Sequence, residues 1–276
     1  MGSPTLRKLL NVLYVTSPDA YLAKDGENVL VLVGKETKLR IPVHNLEGIV
    51  CFGYTGASPA LMHLCVERNV ALSFHSESGR FLARVTGKVS GNVLLRRKQY
   101  RIADSPEESL QFAKGFIFGK VFNCRCVLQR FLRDHGDKGD FQDVQDGVKF
   151  LSLQLQKVVN CQNVSILRGI EGESARSYYS VIDNLVLEEK EAFQFIGRSR
   201  RPPLDPINAL LSYLYTLLAH DCSSALETVG LDPQVGFLHK DRPGRPSLAL
   251  DLMEELRPYL VDRLTLSLIN NRQVDA

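Results

Sequence analysis

Four side chains in two separated stretches have the types and spacing to hold a divalent cation. One stretch, HKDRPGRPSLALDLMEELRP from His239 to Pro258, sets an imidazole upstream of two carboxylates, Asp251 and Glu254. Residues three apart on a helix are neighbours, roughly 5 to 6 Å between Cβ atoms, so these acids can address one ion or a close pair. Carboxylates with water suit magnesium, and an added imidazole suits manganese or zinc. The spacing His-x11-Asp-x2-Glu matches no zinc-binding signature, so it leaves two readings open. The acids are the wet face of a surface helix, or they line a site.

The helix that carries them bears on the choice. At 100° per residue, Leu248, Leu252, Leu256 and Leu260 form one apolar stripe, and Asp251 and Glu254 point to its far side. Leu250 shares that far side, so the acidic face is not purely polar and could itself be covered. Two like charges under cover need a counter-charge, which Arg257 or a metal would supply.

The other stretch is RGIEGESARSYY, residues 168–179. Gly169 and Gly172 stand on either side of Glu171 and allow it to tuck under a facing helix. Alternatively a helix starts here, and acids in its first turn complement the dipole for about 0.3 to 1 kcal/mol. Basic residues gather twice, at Arg96, Arg97 and Arg101 around Tyr100, and at Arg198, Arg200 and Arg201 before two prolines. Arginine grips phosphate bidentately and tyrosine stacks on bases, so each cluster is a candidate DNA-binding track. Acids near both clusters hold the net charge to +3, which favours a defined track over non-specific coating.

These residues need elements to position them. A length of 276 residues predicts two domains. From Leu9 to Val85 the chain reads as short strands: LLNVLYV, NVLVLV (Asn28 to Val33), KLRIPV (Lys38 to Val43), EGIVCF (Glu47 to Phe52), VALSF and FLARV. Asp25–Gly26 signals a hairpin, and a helix is expected over Pro59 to Glu67. Residues 86–95 read as a linker. Beyond it, apolar spacing predicts helices over Glu107–Asp134, Val144–Val158, Glu173–Leu187, Pro206–Cys222 and Leu248–Leu268. The expected fold class is therefore α+β: a β-rich N-terminal domain over 1–85, then an all-α catalytic domain over 96–276. Arg7 and Lys8 before Leu9 imitate a signal peptide, but Asn11 interrupts the apolar run and no cleavage pattern follows. Six scattered cysteines without CxxC predict reduced thiols in a cytoplasmic protein, and no apolar run is long enough to span a membrane.

With both acidic stretches read, the chain resembles the CRISPR-associated integrase family, the Cas-one proteins, and most of all their I-C subtype. The resemblance rests on KLLNVLYVT, GNVLLRR, RGIEG, RPPLDPINALLSYLY, GLDP, GFLH and SLALDLMEELRP, in this order along nearly the whole chain. It implies that the family's metal-binding glutamate falls on Glu171, its histidine on His239 and its last carboxylate on Glu254, with Asp251 a further acidic catalytic member. It implies Mg2+ or Mn2+ as cofactor, a homodimer formed through the N-terminal domain, double-stranded DNA as substrate, and the small companion Cas-two as partner. Relatives generally continue past Ala276 into further helical sequence, so the catalytic domain is expected to lack that tail. The implied reaction joins the 3′-hydroxyl of a DNA fragment to a repeat by transesterification. Two rivals share the sequence features: a stand-alone metal-dependent nuclease on branched or damaged DNA, with water as attacker, and a non-catalytic DNA-binding scaffold indifferent to manganese.

Overall fold

A computed structural model describes residues 11–87 and 92–276. The start of the strand expected from Leu9, the Arg7–Lys8 pair and positions 88–91 of the expected linker lie outside the described residues. The chain divides into two compact units, Met1–Ser90 and Gly91–Ala276.

The first unit is β-rich. Its elements are β1 (Asn11–Val15), β2 (Ala20–Asp25), β3 (Asn28–Val33), β4 (Glu36–Pro42), β5 (Leu46–Phe52), β6 (Gly56–Ala57), α1 (Pro59–Glu67), β7 (Ala71–His75) and β8 (Phe81–Val85). One sheet has the order β1-β5-β7-β8, the other β4-β3-β2-β6. β1, β5 and β7 pair in parallel, and α1 supplies the crossover that a parallel β5–β7 pair requires. The Ser58 hydroxyl caps α1 by accepting from the Leu61 N–H at 3.2 Å, with Pro59 in the first turn where its missing N–H costs nothing. Asp25 pairs with Asn28 across the turn that the Asp-Gly dipeptide signals. Leu22, Val29, Ile49, Leu61 and Leu72 fill the core of this unit.

The second unit is helical: α2 (Val93–Asp104), α3 (Pro106–His135), α4 (Gln142–Asn160), α5 (Val164–Tyr179), α6 (Pro206–Thr228), α7 (Ser247–Leu256) and α8 (Arg263–Asn270). The long α3 runs through it and packs against α4, α5 and α7. The Ser105 hydroxyl caps α3 from the Glu108 N–H, and Glu107 and Glu108 place negative charge at the positive end of its dipole. Among the described residues no helix is long and apolar enough to cross a membrane.

Three helices depart from the sequence expectation. α2 begins at Val93, inside the expected linker, where Asn92 caps it. α5 spans Val164–Tyr179 where Glu173–Leu187 was expected, because Asn163 accepts the Ile166 N–H at 2.9 Å and caps it there. Glu171 therefore sits in mid-helix and is no first-turn acid. The helix expected over Leu248–Leu268 is interrupted by a π-helical turn, Arg257–Asp262. Pro258 has no N–H to give the α-helical ladder, and a widened turn accommodates the loss.

Candidate active site

Three helices of the second unit converge on one buried ammonium. Gly119 permits the approach of α3 to α7, since a Cβ there would lie 2.8 Å from the Glu255 Cβ. The Asn123 amide fixes the same contact by donating to the Glu255 carbonyl at 2.7 Å. Next to Gly119, Lys120 lies on the buried stripe of α3 with Ile117, Val121 and Cys124. Its Nζ donates to Glu171 Oε1 from α5 and lies 2.7 Å from Glu254 Oε2 from α7. Both contacts are ion pairs, so one ammonium bridges two carboxylates from different helices. Arg257 supplies a second cation, its guanidinium 2.8 Å from Glu254 Oε1 and stacked over the Tyr215 ring at 5.2 Å.

The electrostatics follow from burial. Desolvation alone would push the Glu254 carboxyl up, but Lys120 and then Arg257 outweigh it and hold the group down at about 2. Burial would likewise pull the Lys120 ammonium down, and Glu254 and Glu171 instead raise it. The acids of α7 are therefore not a wet face: Asp251 is 0% and Glu254 4% exposed, while Leu260 at the end of the expected apolar stripe is 44% exposed. Leu248, Leu252 and Leu256 pack on the core as the stripe predicts, and the acidic side is buried as well because donors and cations from elsewhere compensate its charges.

The remaining pair is His239 and Asp251. The segment before His239 crosses the start of α7, where the Pro233 carbonyl accepts the Leu248 N–H at 2.9 Å. Gly236 allows this, because a Cβ there would meet Asp251 Oδ2 and the Ser247 backbone at 2.8 Å. Asp251 Oδ2 accepts the N–H groups of Phe237 and Leu238 at 2.7 and 2.8 Å. Its Oδ1 accepts the His239 N–H at 3.0 Å and stands 2.5 Å from His239 Nδ1. A carboxylate only accepts, so Nδ1 carries the proton toward Asp251, which in the neutral tautomer leaves the lone pair on Nε2.

Of the residues expected at the site, Glu171 and Glu254 thus meet on one cation, and His239 and Asp251 meet each other. Among the described residues no group of three or more His, Cys, Asp or Glu side chains stands together in metal-holding geometry. Lys120 was not anticipated, although a lysine in register with Ile117, Val121 and Cys124 on an apolar stripe signals a buried cation. Behind the site lies a second unanticipated cluster. Asp262 accepts from the Tyr215 hydroxyl, which is 2.9 Å from that of Tyr179. Burial pushes the Asp262 carboxyl up to about 6, against the Tyr215 hydroxyl and the charges of Arg257 and Lys120.

The basic clusters divide. On α2, Arg97 and Arg101 are exposed, while the Arg96 Nε donates to the Gly230 carbonyl at 3.1 Å. Tyr100 donates to Asp232 at 2.7 Å. Arg200 and Arg201 are exposed, but Arg198 is engaged inside the unit, donating to Asn208 Oδ1 at 2.6 Å and Ser212 Oγ at 3.2 Å.

The model of the family described as "CRISPR associated protein Cas1" matches residues 13–276. The chain is 50% identical over 271 residues to the "CRISPR-associated endonuclease Cas1 1" of Chlorobaculum tepidum, covering 98% of this chain and 79% of that protein. It is 53% identical over 277 residues to the "CRISPR-associated endonuclease Cas1 2" of Rhodospirillum rubrum, with the same two coverages, 98% and 79%. Among solved structures it is similar to a Cas1 protein from Thermotoga maritima, with a TM-score of 0.78 at 27% identity over 96% of this chain and 81% of that one. A casposase bound to integration product gives a TM-score of 0.77 at 27% identity, over 97% of this chain and 75% of that one.

Proposed function

We propose, from the premise that this chain belongs to the CRISPR-associated Cas1 family of endonucleases and integrases, that it is a metal-dependent spacer integrase of the I-C subtype. It joins the 3′-hydroxyl of a DNA fragment to a repeat: the new P–O bond forms as the old P–O3′ bond breaks, and the departing 3′-oxygen takes up a proton. The observation that carries this reading is the meeting of Glu171 and Glu254, from two helices, on one buried cation.

The donor types suit a divalent ion, but among the described residues the side chains of Glu171, Glu254 and His239 do not stand together in metal-holding geometry. Two carboxylates already share a positive charge, and an imidazole with its Nδ1 proton committed to Asp251 has Nε2 to offer. Glu171, Glu254 and His239 Nε2 would hold Mg2+ or Mn2+. The ion, when bound, neutralises charge on the scissile phosphate and on the attacking or leaving oxygen.

The chain's own groups do the rest. Asp251 fixes the tautomer and orientation of His239 and so acts first as a positioning residue. Lys120 and then Arg257 keep Glu254 ionised inside the unit. Arg97, Arg101, Arg200 and Arg201, free at the surface, bind phosphates of double-stranded DNA. In the cytoplasm the protein acts as a homodimer through its β-rich unit, beside the companion Cas2. Supplying a fragment with 3′-hydroxyl ends, a repeat duplex and the companion tests this: joined strands are the expected product, and cut strands alone would support the nuclease instead.

A further inference from the structure

Between α6 and α7, residues 231–246 form no helix or strand, yet they carry His239. Side chains of other elements must place them. α7 holds the later part, where Asp251 accepts the N–H groups of Phe237, Leu238 and His239. From α5, Arg168 donates to the Leu238 carbonyl. The earlier part is held from α2, by Gln99, which precedes Asp232 by 133 residues in the chain.

Gln99 is 3% exposed. Its Nε2 donates to the carbonyls of Asp232 at 2.7 Å and Val235 at 2.8 Å, and its Oε1 accepts the Asp232 N–H at 2.9 Å. Only this orientation of the amide gives each of these backbone groups a partner, because the flipped one would set its oxygen against both carbonyls. Beside it, Tyr100 donates to Asp232 Oδ2 at 2.7 Å and Arg96 to the Gly230 carbonyl at 3.1 Å. Positions 96, 99 and 100 share one face of α2, as spacings of three and four residues require.

Resting on the reading of His239 as a site residue, we infer that Gln99 is a positioning residue that sets His239 from α2. Asp251 grips the segment on one side of Gly236 only, and a glycine gives the backbone freedom to pivot there. Gln99 fixes the other side. Between the Val235 carbonyl that it holds and the Phe237 N–H that Asp251 holds, Gly236 alone intervenes. With both sides fixed, the path into His239 is set, and its Nδ1 meets Asp251 Oδ1 in one direction. A Gln99 that is merely structural predicts something different: its loss would lower stability and leave the His239 ring as it was.

The test replaces Gln99 in the full chain by Met, which keeps the length without hydrogen bonds, and by Asn, which keeps the amide one methylene short. Histidines are labelled with nitrogen-15, and two-bond proton–nitrogen NMR correlations read the ring tautomers, His239 being assigned by the signal missing from His239→Gln. Wild type should carry the proton on Nδ1. Both Gln99 variants should shift toward a mixture of tautomers, and in strand transfer their kcat should fall about 10- to 100-fold with KM for DNA unchanged. Ile102→Val, which trims a buried apolar side chain of the same helix, should lower the melting temperature and leave the His239 signal in place. A wild-type His239 signal in the Gln99 variants would overturn the inference, as would an equal shift in Ile102→Val. Should neither Gln99 variant fold, Tyr100→Phe decides: it leaves nothing buried unpaired, and a His239 signal that it does not move overturns the inference. A shifted signal with full strand transfer leaves Gln99 positioning His239 and refutes His239 as a site residue, so the two failures are told apart.

Discussion

Lys120 on α3 lies 2.7 Å from Glu254 on α7, an ammonium and a carboxylate meeting inside the helical unit. The arrangement explains how the unit carries acids on a helix face that it also buries. Each acid is matched by donors from a different part of the chain, and those donors define the site.

Asp251 takes four hydrogen bonds, from three consecutive backbone N–H groups and the His239 ring. Asp251→Asn replaces one acceptor oxygen by a donor that faces an N–H. Expected are a loss of about 1–3 kcal/mol in stability and a metal affinity lower by about 10- to 100-fold. Denaturant unfolding and Mn2+ titration of the variant check the two numbers. Wild-type metal affinity would remove Asp251 from the account.

Gly236 is required by approach distance. A methyl group at this position would meet the Ser247 backbone at 2.8 Å, so Gly236→Ala must push the segment before His239 away from α7. Strand transfer should fall sharply, with a stability loss of about 1–3 kcal/mol from overpacking. Activity assays and thermal melting test this, and a fully active variant contradicts it.

The arginines should separate by assay. Arg198→Ala breaks contacts with Asn208 and Ser212 and should lower the melting temperature. The double substitution Arg200→Ala, Arg201→Ala should leave melting unchanged and reduce the slope of log affinity for DNA against log salt by up to about 2. A flat salt response in wild type counts against a phosphate track altogether.

Asp262 sets a pH dependence of known sign. Its carboxyl, raised from 3.8 to about 6, is faced by Tyr179 and Tyr178 of α5, Tyr215 of α6, Cys124 and Lys120 of α3, and Arg257. Between these values the folded state holds a proton that the unfolded chain releases. The group's contribution to stability is full below 3.8 and lost as pH rises through about 6. The melting temperature of wild type minus that of Asp262→Asn should therefore be larger at about pH 5 than at about pH 7.5. A difference independent of pH would contradict this.

Much of the fold was legible because its signals are local. The alternation in NVLVLV, the helical spacing of Pro59–Glu67 and the run FLARV give β3, α1 and β8 with their observed bounds. The site was legible in part. The glutamates could be named from the chain, but which face of α7 is buried could not, since Lys120 and the 237–239 N–H groups reach it only through tertiary packing. Of the two readings of the Glu171 stretch, the helix start fails for a similar reason. The Asn163 cap lies two turns upstream, and the glycines around Glu171 drew the boundary toward themselves.

The central claim is that Glu171, His239 and Glu254 share a divalent cation. Anomalous diffraction from crystals grown with Mn2+ and DNA tests it most directly. The account predicts one strong peak within ligand distance of both carboxylates and His239 Nε2. No manganese beside Glu171 and Glu254 would contradict it.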